Sequence, residues 1–369
     1  MNKLLIVQRL TIVVLMSVCM CSCMLKDKQE NIIFVDIKEQ NASAEDFFDN
    51  YQSIVLELND ECIVSGIDKI VFQDNLYVQD GQIIFVFNRK GNYLFKINKR
   101  GRGSEEYIDL RDFSVFDSTV YVLSRVEKCI YMYSDQGNYA GSYQLNDWYE
   151  SIYVQNDSCL FLYSGYSNNQ KYNIVLFNPL KDEYPKFFAP FGENQSYSTR
   201  HNVFHPTQEG LLVSLPFDYT IYRLTTEALT PLFSVNFNTD FVLPKNKSMN
   251  DIAEESKNKP VVRHIHMVDA DETAIYLAFT LFQQEMGYKA HLVKINRETQ
   301  EAQSCLLENC AKASFPFVAS PIELCNKTLL SSFSAASVLK LEKYYGLNYF
   351  SQKNLNKENN PVVFVHSLK

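Results

Sequence analysis

Apolar and polar residues alternate along most of this chain with the two-residue period of half-buried β-strands, and the alternation breaks at short turns containing glycine or asparagine. The clearest unit is Asn75-Leu-Tyr-Val78 followed by Ile84-Phe-Val-Phe-Asn-Arg-Lys-Gly-Asn-Tyr93. It recurs as Thr119-Val-Tyr-Val122 followed by Ile130-Tyr-Met-Tyr-Ser-Asp-Gln-Gly-Asn-Tyr139. Each copy reads as consecutive antiparallel hairpins. Taking the second apolar strand of each copy as a marker gives Phe87, Tyr133, Phe177 and Tyr222, spaced by 46, 44 and 45 positions. Propeller blades of four strands have this period.

The next equivalents, His291–Ile295 and Val362–Val365, each lie about 70 positions further on, so two insertions are required. Asn238–Pro260 is polar and carries Met249–Glu255 as a short helical stretch. Ser334–Asn360 carries Ala335–Tyr344 at helical spacing, then an Asn/Lys-rich loop. The six markers predict an all-β, six-bladed β-propeller with small helical insertions. A ring has to close without an open sheet edge, and the alternating Ser53–Leu58 lies before the first whole blade. It is expected to complete the last blade, begun by Phe315–Ser320 and ended by Pro361–His366.

The first residues have a different grammar. Lys3 and Arg9 precede an apolar run from Leu10 to Met20, too short to span a bilayer comfortably and suited to a signal peptide. Met20-Cys21-Ser22-Cys23 resembles a lipoprotein cleavage site. Residues 1–22 are therefore expected to be removed, Cys23 to be lipidated, residues 23–50 to form a tether, and residues 51–369 to form the propeller. The expected location is the cell envelope, lipid-anchored and most naturally at the outer membrane. The membrane face stays open, because Asp27 and Glu30 are diluted by Lys26 and Lys28.

Removing residues 1–22 takes Lys3 and Arg9 and no acidic residue, which moves the net charge from −8 to −10. An acidic chain without a basic cluster is a poor partner for nucleic acid. Besides Cys23, the remainder of the chain holds Cys62, Cys129, Cys159, Cys305, Cys310 and Cys325. The first three sit in or beside strand-like runs, as buried thiols do. The spacing of the last three raises a local disulfide, and no C-x-x-C pair of the zinc or redox kind occurs.

Chemical motifs are few. Gly101-Arg-Gly103 lacks the G-K-[ST] ending of a phosphate loop and opens no helix, so it reads as a turn, with Arg100 and Arg102 as the contacts it offers an acidic ligand. His264-Ile-His266 has the spacing that puts two rings on one face of a strand, which makes it a candidate metal pair, with His201, His205, Asp269 and Asp271 as conceivable further donors. Asp269–Thr273 lacks the twelve-residue calcium-loop pattern. No catalytic elbow or zincin helix is present, no catalytic residue is marked out, and no cofactor is expected.

Ser53–Leu58, Ile67-Asp-Lys-Ile70, Lys99-Arg-Gly-Arg-Gly-Ser-Glu-Glu-Tyr107, Asp112-Phe113 and the terminal Asn360-Pro-Val-Val-Phe-Val365 together resemble the six-bladed β-propeller lipoproteins of Bacteroidetes, over nearly all of the mature chain. In that family the glycine segment commonly continues with Pro-Gly, where this chain has Ser104-Glu105. The resemblance implies fold and anchoring but no reaction. The leading expectation is a binding or interaction module with a glycan, peptide or outer-membrane protein as partner. A propeller lyase or hydrolase, possible through a metal at His264 and His266, and a structural subunit of an outer-membrane nutrient-uptake complex are the alternatives.

Overall fold

A computed structural model describes residues 31–37, 42–192, 202–239, 247–257, 259–283, 287–312 and 314–369. Two strands precede the first whole blade, β1 (Ile32–Val35) and β2 (Phe48–Val55). Blade 1 is β3 (Lys69–Phe72), β4 (Asn75–Asp80), β5 (Ile83–Asn88) and β6 (Tyr93–Ile97). Blade 2 is β7 (Asp112–Phe116), β8 (Thr119–Ser124), β9 (Cys129–Tyr133) and β10 (Tyr139–Gln144). Blade 3 is β11 (Ser151–Asn156), β12 (Cys159–Tyr163), β13 (Tyr172–Asn178) and β14 (Glu183–Pro190). Blade 4 is β15 (Phe204–Thr207), β16 (Gly210–Ser214), β17 (Thr220–Leu224) and β18 (Leu229–Phe237), with β1 added as a fifth strand beside β18. Blade 5 is β19 (Ile265–Ala270), β20 (Ala274–Gln283), β21 (Gly287–Asn296) and β22 (Ala302–Leu306). Blade 6 is β23 (Pro321–Cys325), β24 (Thr328–Phe333) and β25 (Val362–Leu368), completed by β2 in the order β2-β25-β24-β23.

The six sheets form the ring of a six-bladed β-propeller, and the six sequence markers all fall on third strands: β5, β9, β13, β17, β21 and β25. Closure occurs as the alternation of Ser53–Leu58 predicts. β2 runs antiparallel to β25, with Ser53 opposite Phe364 and Val55 opposite Val362. The inner strand of blade 6, however, is Pro321–Cys325 and not Phe315–Ser320. Phe315 and Phe317 are buried from an irregular segment, Phe315 against Phe48 and Phe317 stacked on Phe364 with centroids 4.1 Å apart, so their apolarity has no strand behind it.

Part of the stretch expected as a tether, Ile32–Val35 and residues 44–48, is folded into the propeller. Ile33 and Val35 are buried in the core shared by blades 4 and 5, and a short helix, Ala44–Phe47, leads into β2. The propeller therefore begins well before residue 51. The earlier residues of the expected leader and tether, Cys23 among them, lie outside the described residues.

Each interface between neighbouring blades holds its own apolar cluster, and aromatic rings dominate their volume. Tyr107, Tyr133, Tyr149, Tyr163, Phe87, Phe113, Phe161 and Phe177 are all fully buried there. Flat rings suit the wedge between two twisted sheets, and burying one contributes roughly 1.5–3 kcal/mol. The hydroxyls need partners: Tyr107 donates to the Gln82 carbonyl (2.7 Å) and Tyr133 to that of Glu105 (2.9 Å).

The repeated glycines explain how the ring is sealed. Gly137, in the turn from the third to the fourth strand of blade 2, has φ +76° and leans on Phe95 and Lys96 of β6, the outermost strand of blade 1. Gly91, its equivalent in blade 1, has φ +87° and leans on Val55 and Ile54 of β2. β2 thus stands to blade 1 as β6 stands to blade 2. Asn360 fixes the junction: its side-chain amide donates to the carbonyls of Glu57 (2.6 Å) and Cys62 (2.9 Å), and its carbonyl accepts from Val64 N (2.9 Å).

Each insertion carries a helix. Met249–Glu255 is capped by Ser248, whose hydroxyl accepts from Asp251 N. Ala335–Tyr345 is capped by Ser334 and ends at Gly346 in the left-handed conformation. The second insertion lies inside blade 6, between β24 and β25. It covers a cluster of Phe317, Val338, Phe350, Val362 and Phe364.

Candidate functional site

The first strand of every blade is its innermost. A residue at the start of that strand, or just before it, is therefore carried to one end of the central channel. The sequence places charged or polar groups there in three successive blades: Asp68-Lys69, Arg111-Asp112 and Glu150-Ser151. Together with Asn202, Ile322 and Glu323 they line a hollow of about 190 Å³. A second hollow of about 310 Å³ shares Lys69, Asn202 and Glu323 with the first and continues between apolar side chains including Val71, Val115, Tyr153 and Phe204. Gln73, Ser114, Gln155 and Asn326 also line the second hollow, so a charged mouth opens on a lining of mixed polarity.

Its charges are organised in pairs. Lys69 Nζ lies 2.7 Å from Asp112 Oδ1, donates to the Phe113 carbonyl (2.7 Å) and sits 5.2 Å from the centre of the Phe113 ring. Asp112 Oδ2 accepts from Ser151 Oγ (2.6 Å) and Ile152 N (2.9 Å), which locks blade 2 to blade 3. Arg111 and Arg125 both pair with the buried Glu150 carboxylate, Arg125 Nε at 2.8 Å from Oε1. Such pairing is what allows these charges to sit in a poorly solvated place.

Glu323 is different. Its carboxylate accepts from its neighbour Leu324 N (3.2 Å) and lies 3.5 Å from Asn202 Nδ2, a marginal hydrogen bond. Among the described residues no lysine or arginine forms an ion pair with it. Desolvation pushes its carboxyl up to about 7, against a smaller lowering by Lys69. A titratable group displaced towards neutrality inside a concavity marks a candidate functional position.

The candidates named from sequence lie elsewhere. His264 is buried, with Nε2 at 3.1 Å from Ser214 Oγ and 3.2 Å from Ser214 O; His205 Nε2 lies 2.8 Å from the same hydroxyl, which donates to the Ile265 carbonyl (2.7 Å). These contacts stitch blade 4 to blade 5. His266 Nε2 meets Thr280 Oγ1 at 3.0 Å, and its ring stands perpendicular to that of His264 with centroids 5.1 Å apart. Burial lowers His266 to about 4 and His205 to about 3. Asp269 accepts from Ala270 N and Lys327 N, and Asp271 accepts from Thr273 N and Ala274 N, so both serve turns. His201 lies outside the described residues. Among the described residues, no group of three or more His, Cys, Asp or Glu is placed to hold a metal ion.

Arg100 and Arg102 are exposed on the loop between blades 1 and 2. The glycine segment beside them holds an internal anion: Gly103 N donates to Glu106 Oε2 (2.8 Å), and a Cβ at Gly101 would fall 1.8 Å from that oxygen. The turn is shaped around the chain's own carboxylate. Cys305 is disulfide-bonded, while Cys62, Cys129, Cys159 and Cys325 are free thiols. The side chain of Cys310 is outside the described set.

Lys69 and Asp112 stand in stretches that carried the family resemblance, but nothing there marked them as neighbours. The strand ladders put Lys69, Asp112 and Ser151 in equivalent first-strand positions, opposite Gln79, Leu123 and Tyr163, but they lie 18, 21 and 26 residues before the third-strand markers, so the repeat spacing alone does not align them. Glu323 was missed because its blade was placed six residues early.

Fold and channel define a six-bladed β-propeller with a charged channel mouth. The chain matches the family described as a domain of unknown function (DUF4934) over residues 31–367, and it belongs to that family. A candidate exported protein of Bacteroides fragilis is similar in structure, with a TM-score of 0.74 at 16% identity, covering 92% of this chain and 99% of that one. A member of the DUF4221 family from Bacteroides vulgatus has a TM-score of 0.55 at 11% identity, covering 90% and 99%. At such identities the likeness shows the fold. No curated protein matches the chain. No helix among the described residues is long and apolar enough to cross a membrane.

Proposed function

We propose that this protein is a cell-envelope lipoprotein, anchored through Cys23, whose propeller is a binding module with its ligand site at the channel mouth. The observation that carries the reading is convergence: blades 1, 2, 3 and 6 each deliver a polar group, Lys69, Asp112, Ser151 and Glu323, to one concavity that opens on a second, partly apolar hollow. Concave sites with a few convergent polar groups are where small ligands bind. Anchoring is supported by the leader-like residues 1–22 and the Ser22-Cys23 junction, and an exported neighbour of the same fold is consistent with it.

Two experiments test it. Cys23→Ala should move the protein out of the membrane fraction and remove the lipid increment from its mass; an unchanged partition refutes the anchor. A thermal-shift screen of glycans, peptides and small metabolites should return ligands that Asn202→Trp, which fills the mouth, no longer binds. Ligands indifferent to that plug would place the site elsewhere on the ring.

A further inference from the structure

We propose that the channel mouth is a site for an organic cation, a protonated amine whose charge meets Glu323 and whose apolar body enters the adjoining hollow. This rests on the channel-mouth reading above and names the ligand chemistry it requires.

Charge accounting selects the cation. Lys69 is paired with Asp112, and Arg111 and Arg125 share the single Glu150 carboxylate, so every cation at the mouth already has a carboxylate contact. Asp68, Asp112, Glu150 and Glu323 line the hollow against Lys69 and Arg111, and an excess of one carboxyl remains once Arg125, which meets Glu150, is counted. Asp68 is exposed to water and accepts from Gly81 N (2.8 Å). Glu323 is left as the carboxyl without a counter-charge. An anion would deepen the acidic excess, and a neutral ligand would desolvate Glu323 further without compensation. An ammonium group supplies both the missing charge and short N–H donors.

The rest of the ligand is set by what lies beyond Glu323. The inner hollow offers Val71, Val115, Tyr153 and Phe204 beside uncharged polar side chains such as Ser114 and Gln155, and its only charged lining residues among the described residues are Lys69 and Glu323. An ammonium ion attached directly to a compact apolar group fits this sequence of environments, and ring faces add their own attraction for the charge.

Binding should also release a proton. Glu323 is faced by Lys69 from β3, Asp112 from β7 and Asp269 from β19, with Cys325 on its own strand. Burial among them keeps the carboxyl protonated up to about 7. A bound cation favours the ionised form, so affinity rises as pH climbs through about 7 while the amine remains charged.

The test uses calorimetry on the purified full chain with three probes of one shape: 2-phenylethylamine, 2-phenylethanol and phenylacetate. At about pH 8 the amine is expected to bind about tenfold or more tightly than the alcohol, the contribution of one charge-assisted contact. Glu323→Gln should erase that margin and leave alcohol binding unchanged. Near neutrality the heat of amine binding should vary with the ionisation enthalpy of the buffer, reporting the proton lost. Equal or tighter binding of phenylacetate, an amine margin that survives Glu323→Gln, or no amine binding overturns the assignment. Alcohol or phenylacetate binding that is at least as tight as amine binding and that Asn202→Trp abolishes would overturn the cation alone and leave the channel site standing. Amine binding that survives both variants would sink the two readings together.

Discussion

Replacing Glu323 by Gln keeps the size of the side chain and removes only its ability to ionise. In the folded protein the carboxyl is displaced from an ordinary 4.5 to about 7 by burial at the channel mouth. The folded state therefore holds this proton more tightly than the unfolded chain does. Stability from the protonated form is complete below about pH 4.5 and is lost as pH rises through about 7. At about 1.4 kcal/mol per pH unit, the interval amounts to roughly 3 kcal/mol, an upper bound because channel water screens part of it. Gln carries no such penalty. Urea unfolding at about pH 5 and pH 8 should show the wild type losing up to roughly 3 kcal/mol more than Glu323→Gln across that interval, with the variant the more stable protein at the alkaline end. Parallel pH profiles for the two proteins would refute the claim that Glu323 is desolvated.

Three further outcomes follow from the fold. Gly91→Ala must place a Cβ 2.2 Å from the Val55 carbonyl oxygen at φ +87°, so it should destabilise by about 2–3 kcal/mol, against about 1 kcal/mol for Gly81→Ala, where φ is +59° and the space is open; thermal melts compare them directly. Deleting residues 51–58 removes most of β2 and its pairing with β25, and should abolish cooperative folding of the whole ring; a deletion variant that melts at the wild-type temperature would rule out the closure. His205, His266, His291 and His366 are all held below their ordinary 6.5 by burial, to between about 3 and 4. Their contribution is present above pH 6.5 and is lost as pH falls towards 4, so His366→Gln should shallow the acid limb of a urea-midpoint profile, and an unaltered limb would count against burial of a neutral ring.

The blade repeat was legible because it is written in local alternation. Phe87 and Tyr133 needed only their own hairpins to be recognised, and the helix at Met249–Glu255 announced itself by composition. Closure by Ser53–Leu58 was legible for a different reason: a ring has no free edge, so a lone strand ahead of the first blade has one place to go. What depends on a distant partner was not readable. Ile32–Val35 has the alternation of a strand, but only the edge of β18, some two hundred residues away, makes it one. Phe315 and Phe317 have the composition of a strand, yet they are buried by rings on β2 and β25 and need no ladder of their own. The channel mouth was hidden for the same reason. Lys69 and Asp112 are 43 positions apart in sequence and 2.7 Å apart in space, and only the curvature of the ring relates them. His264 shows the converse, because local spacing suggested a metal pair while a serine from the neighbouring blade, Ser214, occupies its Nε2.

The strand β1 has a mechanical consequence. Between it and β2 the chain passes the outer edge of blade 5, where Ser304 Oγ donates to the Asp36 carbonyl (3.2 Å), and then the Ala44–Phe47 helix packs over blades 5 and 6. A pull on the N-terminus consequently reaches β1 at the rim of blade 4 first and the closing strand β2 last. Such a force would be taken up first by the four residues of β1, whose loss leaves every blade with its four strands, while the seam that holds the ring shut stays unloaded.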